Sequence, residues 1–201
     1  MDMKEICGHL KNDGVIVYPT DTLYALGALA FHHEKAITKL FELKKMQSRV
    51  LSVAFPDFAT ARKYADVSQE FSHIFPAPLT VIAHSFSRWN HVTLHDKMAV
   101  RIPANETALE LLRECGPLTA TSANIHNGPN LTLKEIKETF GDEVLIVEGE
   151  EPKYMQPSTI VDVVEGKVVR AGAYPVHEIP RYAQKRALSP FLPPLDDMLG
   201  H

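Results

Sequence analysis

Short apolar runs, separated by polar segments rich in glycine or proline, recur along this chain and predict buried strands. Runs of roughly five residues bounded by turn-forming residues favour strands over helices. The runs are GVIVY, LSVAF, LTVIAHS, MAVRIP, LTATSAN, VLIVEG and STIVDVVEGKVVRAG. The last run contains Glu165 and Gly166 near its middle, which predicts a hairpin of two strands.

Between these strands, apolar residues recur at the spacing of amphipathic helices. One segment predicts a helix over residues 34–45. Further helices are predicted near the start of the chain, after an Asp57 cap, over residues 107–114, and after a Thr132–Glu135 capping box. Because helices alternate with strands early and hairpins dominate late, the sequence predicts an α/β fold with a mixed parallel and antiparallel sheet.

Size and charge narrow the possible classes of protein. The 201 residues suffice for one domain with a sizeable core, and the net charge of −4 means that a site for a polyanion must be a local patch. Cys7 and Cys115 lack metal-ligand spacing, and we predict that they are reduced thiols in a cytoplasmic protein. No apolar run has the length of a membrane span, and the first residues lack the pattern of a signal peptide, so we expect no membrane contact.

Several predicted strands carry small polar residues or arginine at their ends. Thr20, Asp21 and Thr22 follow the first strand in YPTDTLYALG, and similar residues occur in AVRIP, LTATSAN, PSTIVD and KVVRAG. In α/β sheets, ligands bind in crevices at strand ends, where hydroxyls and backbone N–H groups are within reach. Each motif alone is equally compatible with a capped turn or a solvated charge, but their joint occurrence favours a binding site.

A metal centre is not predicted. The chain has 10 histidines, but His32, His33, His84, His91 and His95 lack ligand spacing on any clear element.

Taken in order, seven motifs resemble the YrdC-like domain of the threonylcarbamoyl-AMP synthases. They are YPTDTLYALG, the helix-end lysines before LSVAF, PAPLTVI, AVRIP, TATSANIHNGP, STIVD and VVRAG. The resemblance covers residues 4–173 and implies a short, single-domain form, with a domain over residues 1–174 and a C-terminal extension over 175–201. It also implies a twisted mixed sheet with flanking helices and a concave, locally basic face.

The resemblance further implies an activity. L-threonine, bicarbonate and ATP would give threonylcarbamoyl-AMP and pyrophosphate, with Mg²⁺ arriving on ATP rather than at a dedicated protein site. Proteins of tRNA modification would then transfer the threonylcarbamoyl group to tRNA. Binding of tRNA or double-stranded RNA is also attributed to this domain.

Matching the motifs residue by residue gives candidate site residues. The candidates for binding threonine are Thr20, Thr22, Arg101 and Ser158. The candidates for binding ATP are Arg49, Ala120, Ser122, Asn124, Asn130 and Arg170. Lys44 and Lys45 are the candidate catalytic residues, since both carbamate and triphosphate are anions whose charge must be neutralised.

The chain departs from the family pattern on the predicted phosphate side. The segment LKKMQSRVLSV replaces the usual Lys-x-Arg-Pro motif, and Ala25 replaces a glycine. Lysine cannot reproduce the planar, bidentate guanidinium of arginine. Two alternatives to the enzyme therefore stay open: a non-catalytic module that binds double-stranded RNA or tRNA, and a nucleotide-binding sensor.

Overall fold

The computed structural model describes residues 2–47, 50–126 and 128–184. The strands are β1 Ile16–Pro19, β2 Tyr24–Gly27, β3 Ser52–Ala54, β4 Leu79–His84, β5 Lys97–Arg101, β6 Leu118–Ser122, β7 Leu145–Ile146, β8 Thr159–Asp162 and β9 Lys167–Arg170. The helices are α1 Met3–Lys11, α2 Glu34–Lys44, α3 Phe58–Ala61, α4 Glu106–Cys115 and α5 Leu133–Phe140. Short 3₁₀ helices span Gln69–His73, Gly141–Glu143, Val176–Glu178 and Arg181–Gln184.

The described strands form one sheet in the order β7-β1-β2-β6-β3-β5-β4-β8-β9. Three neighbouring pairs are parallel, namely β1 with β7, β3 with β5 and β4 with β8. The other pairs are antiparallel, including the predicted hairpin of β8 and β9. The prediction of a mixed sheet with flanking helices is therefore confirmed.

Local sequence signals place the helix ends well. Thr132 caps α5 through its hydroxyl, and the Glu135 carboxylate accepts a hydrogen bond from the Thr132 backbone N–H, as the capping box predicted. Helix α2 ends at Lys44, and Lys45 adopts the left-handed conformation that closes it, with φ of 52°. Asp57 caps α3 through a 2.6 Å hydrogen bond from the Thr60 backbone.

The prediction of two reduced thiols is wrong, because Cys7 and Cys115 form a disulfide. Helices α1 and α4 pack together through Ile6, Leu10 and Leu111, and this packing brings the two Cα atoms to 5.0 Å. The residues are 108 positions apart in sequence, so no local pattern could indicate the pairing.

The beginning of the predicted C-terminal extension packs on the fold. Ile179 and Ala183 are buried in the largest core cluster, beside Val161 and Val168 of the β8–β9 hairpin. The remainder of the extension, residues 185–201, lies outside the described residues. None of the helices within residues 2–47, 50–126 and 128–184 is long and apolar enough to cross a membrane.

Candidate functional site

A cavity of about 870 Å³ lies on one face of the sheet. The two-residue period of the strands separates this face from the core. Along β4, Thr80 and Ile82 line the cavity while Leu79 and Val81 are buried in the largest core cluster. β5 repeats the pattern, with lining residues Lys97, Ala99 and Arg101 alternating with core residues Met98 and Val100.

The centre of the cavity is lined by small side chains from four neighbouring strands. Ala25 lies on β2, Ala120 on β6, Ser52 on β3 and Ala99 on β5. Because such side chains are short, a ligand here can lie close to the strand backbones. This explains why apolar strands carry alanine and serine at these positions.

The connection between β1 and β2 supplies the first group of polar residues. The Thr20 hydroxyl accepts hydrogen bonds from the backbone N–H groups of Thr22 and Leu23, and it donates to the Leu23 carbonyl at 2.6 Å. Thr20 therefore stabilises the turn through its hydroxyl, so part of this motif serves the local structure. The Thr22 hydroxyl lies 3.0 Å from that of Thr20 and accepts a 3.0 Å hydrogen bond from Nη2 of Arg101.

Arg101 is held by a buried ion pair. Its Nη2 donates to Oδ1 of Asp21 at 2.5 Å, and both side chains are at most 5% exposed. Asp21 was not among the predicted site residues, although it stands between two of them. Its second oxygen, Oδ2, is buried and has no hydrogen-bond partner in the described residues.

A second polar group forms where β4 and β8 begin side by side. The hydroxyls of Ser158 and Thr80 lie 2.9 Å apart. The Arg170 guanidinium, on β9, donates to the Ser158 carbonyl from Nη2 at 2.9 Å and from Nε at 3.2 Å. A longer bond of 3.3 Å joins Nη2 to the Ser158 hydroxyl. A predicted threonine ligand and a predicted nucleotide ligand are thus direct neighbours.

A third group lies in the turn after β6. Ser122 Oγ donates to Oδ1 of Asn124 at 2.7 Å, and Nδ2 of Asn124 donates to the Gly128 carbonyl at 2.7 Å. Lys44, at the end of α2, donates to the Ser122 and Asn124 carbonyls. Asn130, further along, lines the cavity and donates a 3.5 Å hydrogen bond to the Met155 carbonyl.

The cavity brings together almost all of the candidate site residues. Those that line it are Thr20, Thr22, Lys44, Arg101, Ala120, Ser122, Asn124, Asn130, Ser158 and Arg170. Lys45 is exposed and does not line the cavity. Arg49 lies outside the described residues. The roles of all these residues as ligands stay predictions.

Sequence reasoning missed an ionic cluster at another part of the cavity wall. Lys97 donates to Asp162 at 2.9 Å and to Glu165 at 2.7 Å, and Lys167 also pairs with Glu165. Among the described lining residues there are five lysines and arginines but only two carboxylates, so the wall is locally basic despite the negative overall charge. Alternate residues of a strand point to the same face of the sheet. Lys97 on β5 and Asp162 on β8 could therefore have been predicted if the sequence indicated which face borders the cavity.

The surroundings of the cavity wall shift the pKa values of two side chains. Hydrogen bonds from Lys167 and then Lys97 lower the pKa of Glu165 from 4.5 to about 2. Burial raises the pKa of Tyr24, which lines the cavity, and the neighbouring Glu151 and Glu148 raise it further. Tyr24 therefore stays a neutral hydrogen-bonding group at physiological pH.

Replacing Glu165 with glutamine is expected to destabilise the protein slightly at neutral pH. Because its pKa is lower in the folded state, the carboxylate adds stability above about pH 4.5, and this contribution is lost as the pH falls through about 2. The side chain is 42% exposed, so solvent screening limits the effect to about 0.5–1 kcal/mol. Urea unfolding at pH 7, 4 and 3 should show the difference between Glu165→Gln and wild type narrowing as pH falls. A difference that widened instead would contradict this interpretation, and Glu110→Gln, an exposed carboxylate on α4, is the matched control.

Within residues 2–47, 50–126 and 128–184, no group of three or more histidine, cysteine, aspartate and glutamate side chains could hold an ion.

Comparison with known proteins identifies the fold and the family. The family model Sua5_yciO_yrdC, with the description "Telomere recombination", matches residues 9–172. A threonylcarbamoyl-AMP synthase of Methylobacillus flagellatus is 33% identical over 172 residues, which cover 80% of this chain and 94% of that protein.

Two solved structures share the architecture. The crystal structure of P. abyssi Sua5 complexed with L-threonine matches with a TM-score of 0.79 and 28% identity over 90% of this chain. This chain corresponds to 56% of that protein, little more than half its length. E. coli YciO matches with a TM-score of 0.76 and 24% identity, covering 87% of this chain and 90% of that one, which shows likeness of fold. Since the family model spans most of the chain and the sheet has the same architecture, the chain belongs to the Sua5/YciO/YrdC family.

Proposed function

We propose that this protein is an enzyme that forms threonylcarbamoyl-AMP and pyrophosphate from L-threonine, bicarbonate and ATP. The observation that carries this proposal is the contact between Arg170 and Ser158, because it joins the predicted nucleotide and threonine ligands in one cavity. The similarity to the threonylcarbamoyl-AMP synthase of Methylobacillus flagellatus supports this reaction, and the complex of P. abyssi Sua5 with L-threonine supports threonine as a substrate.

The threonine would bind between the β1–β2 connection and β5. Nη2 of Arg101 is occupied by Asp21 and Thr22, whereas its Nε and Nη1 have no hydrogen-bond partner in the described part of the chain. Nη1 is therefore available to donate a charge-assisted hydrogen bond to the carboxylate of the amino acid. The hydroxyls of Thr22 and Ser158 are available to the polar groups of a small amino acid.

The reaction needs positioning and charge neutralisation rather than a protein nucleophile. The threonine amine and bicarbonate condense to a carbamate and water, and a carbamate oxygen then attacks the α-phosphorus of ATP as pyrophosphate leaves. Holding the two anions side by side removes most of the entropic barrier, and the basic wall offsets their repulsion. Mg²⁺ would enter on ATP and balance the charge of the leaving pyrophosphate.

The product is a reactive mixed anhydride, so a partner must consume it. We propose that tRNA-modification proteins take the threonylcarbamoyl group to tRNA in the cytoplasm.

The decisive experiment is a pyrophosphate-release assay on the purified chain. We expect release only when L-threonine, bicarbonate and ATP are all present. If an intact relative works under the same conditions and this protein does not, the proposal is wrong. Tight ATP binding without turnover would then favour a sensor, and RNA binding that weakens steeply with salt would favour an RNA-binding module.

Replacing Thr22 with valine is expected to raise KM for threonine about tenfold, since one hydrogen bond to a charged or polar group is lost. The KM for ATP should change little, because the hydrogen bonds of the Thr22 hydroxyl go to Thr20 and Arg101, which are both candidate threonine ligands. Thr38→Val is the matched control, since Thr38 is exposed on α2 and bonds only to its own helix. An unchanged threonine KM in Thr22→Val would remove Thr22 from the binding site.

A further inference from the structure

The side chain of Lys44 is buried at the end of α2 and directed at one loop. Lys44 is 2% exposed. Its ammonium donates to the Ser122 carbonyl at 2.6 Å, to the Asn124 carbonyl at 2.9 Å and to the Asn124 side-chain oxygen at 3.0 Å. An ammonium has three N–H groups, and three oxygen atoms of this one loop lie within hydrogen-bond distance of it.

The loop is also tied to the backbone of Lys44. The His126 N–H donates to the Lys44 carbonyl at 2.9 Å. Within the loop, Asn124 accepts from the Ser122 hydroxyl and donates to the Gly128 carbonyl, both at 2.7 Å. Lys44 therefore connects to the turn after β6 through both its side chain and its main chain.

Helix α2 provides a rigid support for this connection. Its residues Ile37, Leu40 and Phe41 are buried in one hydrophobic cluster with Ala123, which belongs to the loop itself. A lysine at the last position of a helix is also favoured by the partial negative charge of the carbonyl end. The position of the Lys44 ammonium is thus fixed by the packing of α2, unlike that of a lysine on the protein surface.

Two roles for Lys44 can be separated. If Lys44 bound a phosphate of the nucleotide, it would have to turn its ammonium away from the loop oxygens that it now contacts. Breaking a bond to a buried carbonyl leaves that acceptor unsatisfied, which is costly. The existing geometry instead fixes Ser122 and Asn124, the residues that the resemblance assigns to nucleotide binding.

We infer that Lys44 is a positioning residue that holds the loop of residues 122–126 in the shape required for binding adenosine. The part that concerns adenosine rests on the proposed function, whereas the part that concerns the loop does not. On this inference the ammonium acts through Ser122 and Asn124. It makes no hydrogen bond to the nucleotide and interacts with it only through long-range electrostatics.

The first test measures amide hydrogen exchange in the ligand-free protein. We expect Lys44→Met to speed exchange at residues 123–126 about tenfold, because the loop then opens locally more often. Exchange at residues 37–41 of α2 should stay as in wild type. Lys45→Met is the matched control, since Lys45 is adjacent, exposed and outside the cavity wall. Unchanged exchange in the loop would overturn the inference.

A second variant keeps the test valid if Lys44→Met fails to fold. Asn124→Ala removes one acceptor of the Lys44 ammonium and the bond to Gly128, without burying a new charge. It should speed exchange at the same loop amides, and unchanged exchange there would again overturn the inference.

The second test compares adenosine with ATP as calorimetric probes. A positioning residue should weaken both ligands by a similar factor, about tenfold in Lys44→Met. Weaker ATP binding with unchanged adenosine binding would make Lys44 a phosphate ligand and overturn the inference. If the wild-type protein binds neither probe, the proposed function fails, and the exchange experiment still decides whether Lys44 holds the loop.

Discussion

Replacing Asp21 with alanine is expected to lower the free energy of unfolding by about 3–5 kcal/mol, because it leaves a buried guanidinium without its counter-charge. Arg101 is only 4% exposed, so water can replace the lost carboxylate only in part. The Asp21 backbone carbonyl also accepts hydrogen bonds from the Lys153 and Tyr154 N–H groups. A less ordered turn would therefore weaken the attachment of the segment that contains these two residues.

Urea unfolding of four proteins would measure this effect: wild type, Asp21→Ala, Arg101→Met and the double variant. We expect the double variant to be less destabilised than the sum of the single variants, because removing both partners leaves no unpaired buried charge. Asp142→Ala, at an exposed acidic residue, is the control. A loss below about 1 kcal/mol in Asp21→Ala, typical of a surface pair, would contradict the buried ion pair.

The same variants bear on catalysis. Without Asp21, nothing else in the described residues orients Arg101 except Thr22, so the guanidinium is expected to lose its fixed position. The threonine KM should rise at least as much as in Thr22→Val. Retention of the wild-type KM in a folded Asp21→Ala protein would show that Arg101 does not bind the carboxylate.

Reducing the disulfide between Cys7 and Cys115 is expected to lower the free energy of unfolding by about 4–5 kcal/mol. The bond closes a loop of 108 residues, and the loop-closure entropy that it removes from the unfolded chain grows with loop length. Urea unfolding with and without a phosphine reductant would measure the difference. Mass spectrometry after alkylation should find no free thiol in the untreated protein.

The double variant Cys7→Ser/Cys115→Ser is the control for the reductant. It should be as stable as the reduced wild type, and adding reductant should not change it. If wild type is insensitive to reductant and both thiols alkylate without it, the disulfide does not form in solution. The cysteines would then match the original expectation of reduced thiols.

The sequence predicted the parts of the fold that depend on near neighbours. The α5 capping box requires Thr132 and Glu135 only three positions apart, and the helix over residues 34–45 needs one apolar stripe. The mixed sheet was also predicted, because helices alternate with strands early and hairpins dominate late. The candidate site residues came from the order of the small polar strand ends, and most of them line one cavity. Boundaries were less certain: the strand predicted from VLIVEG is only Leu145–Ile146.

The different burial of the two adjacent lysines could not be predicted from the sequence. Lys44 and Lys45 have the same chemistry, and either ammonium can pair with a phosphate. Lys44 is buried against the loop after β6, whereas Lys45 is exposed. Their difference depends on where α2 ends and how it packs, which the sequence of the segment does not state.

By itself, the sequence determined the α/β class, the helix caps and the family, since these depend on residue periodicity and on motif order. Only the tertiary structure decided that Asp21 pairs with Arg101, that Cys7 meets Cys115, and which side chains of β4 and β5 face the cavity. The physical reason is separation along the chain. Asp21 and Arg101 are 80 residues apart, and Cys7 and Cys115 are 108 residues apart. Each pair comes into contact only when the sheet and its helices have packed, so no local sequence pattern predicts it.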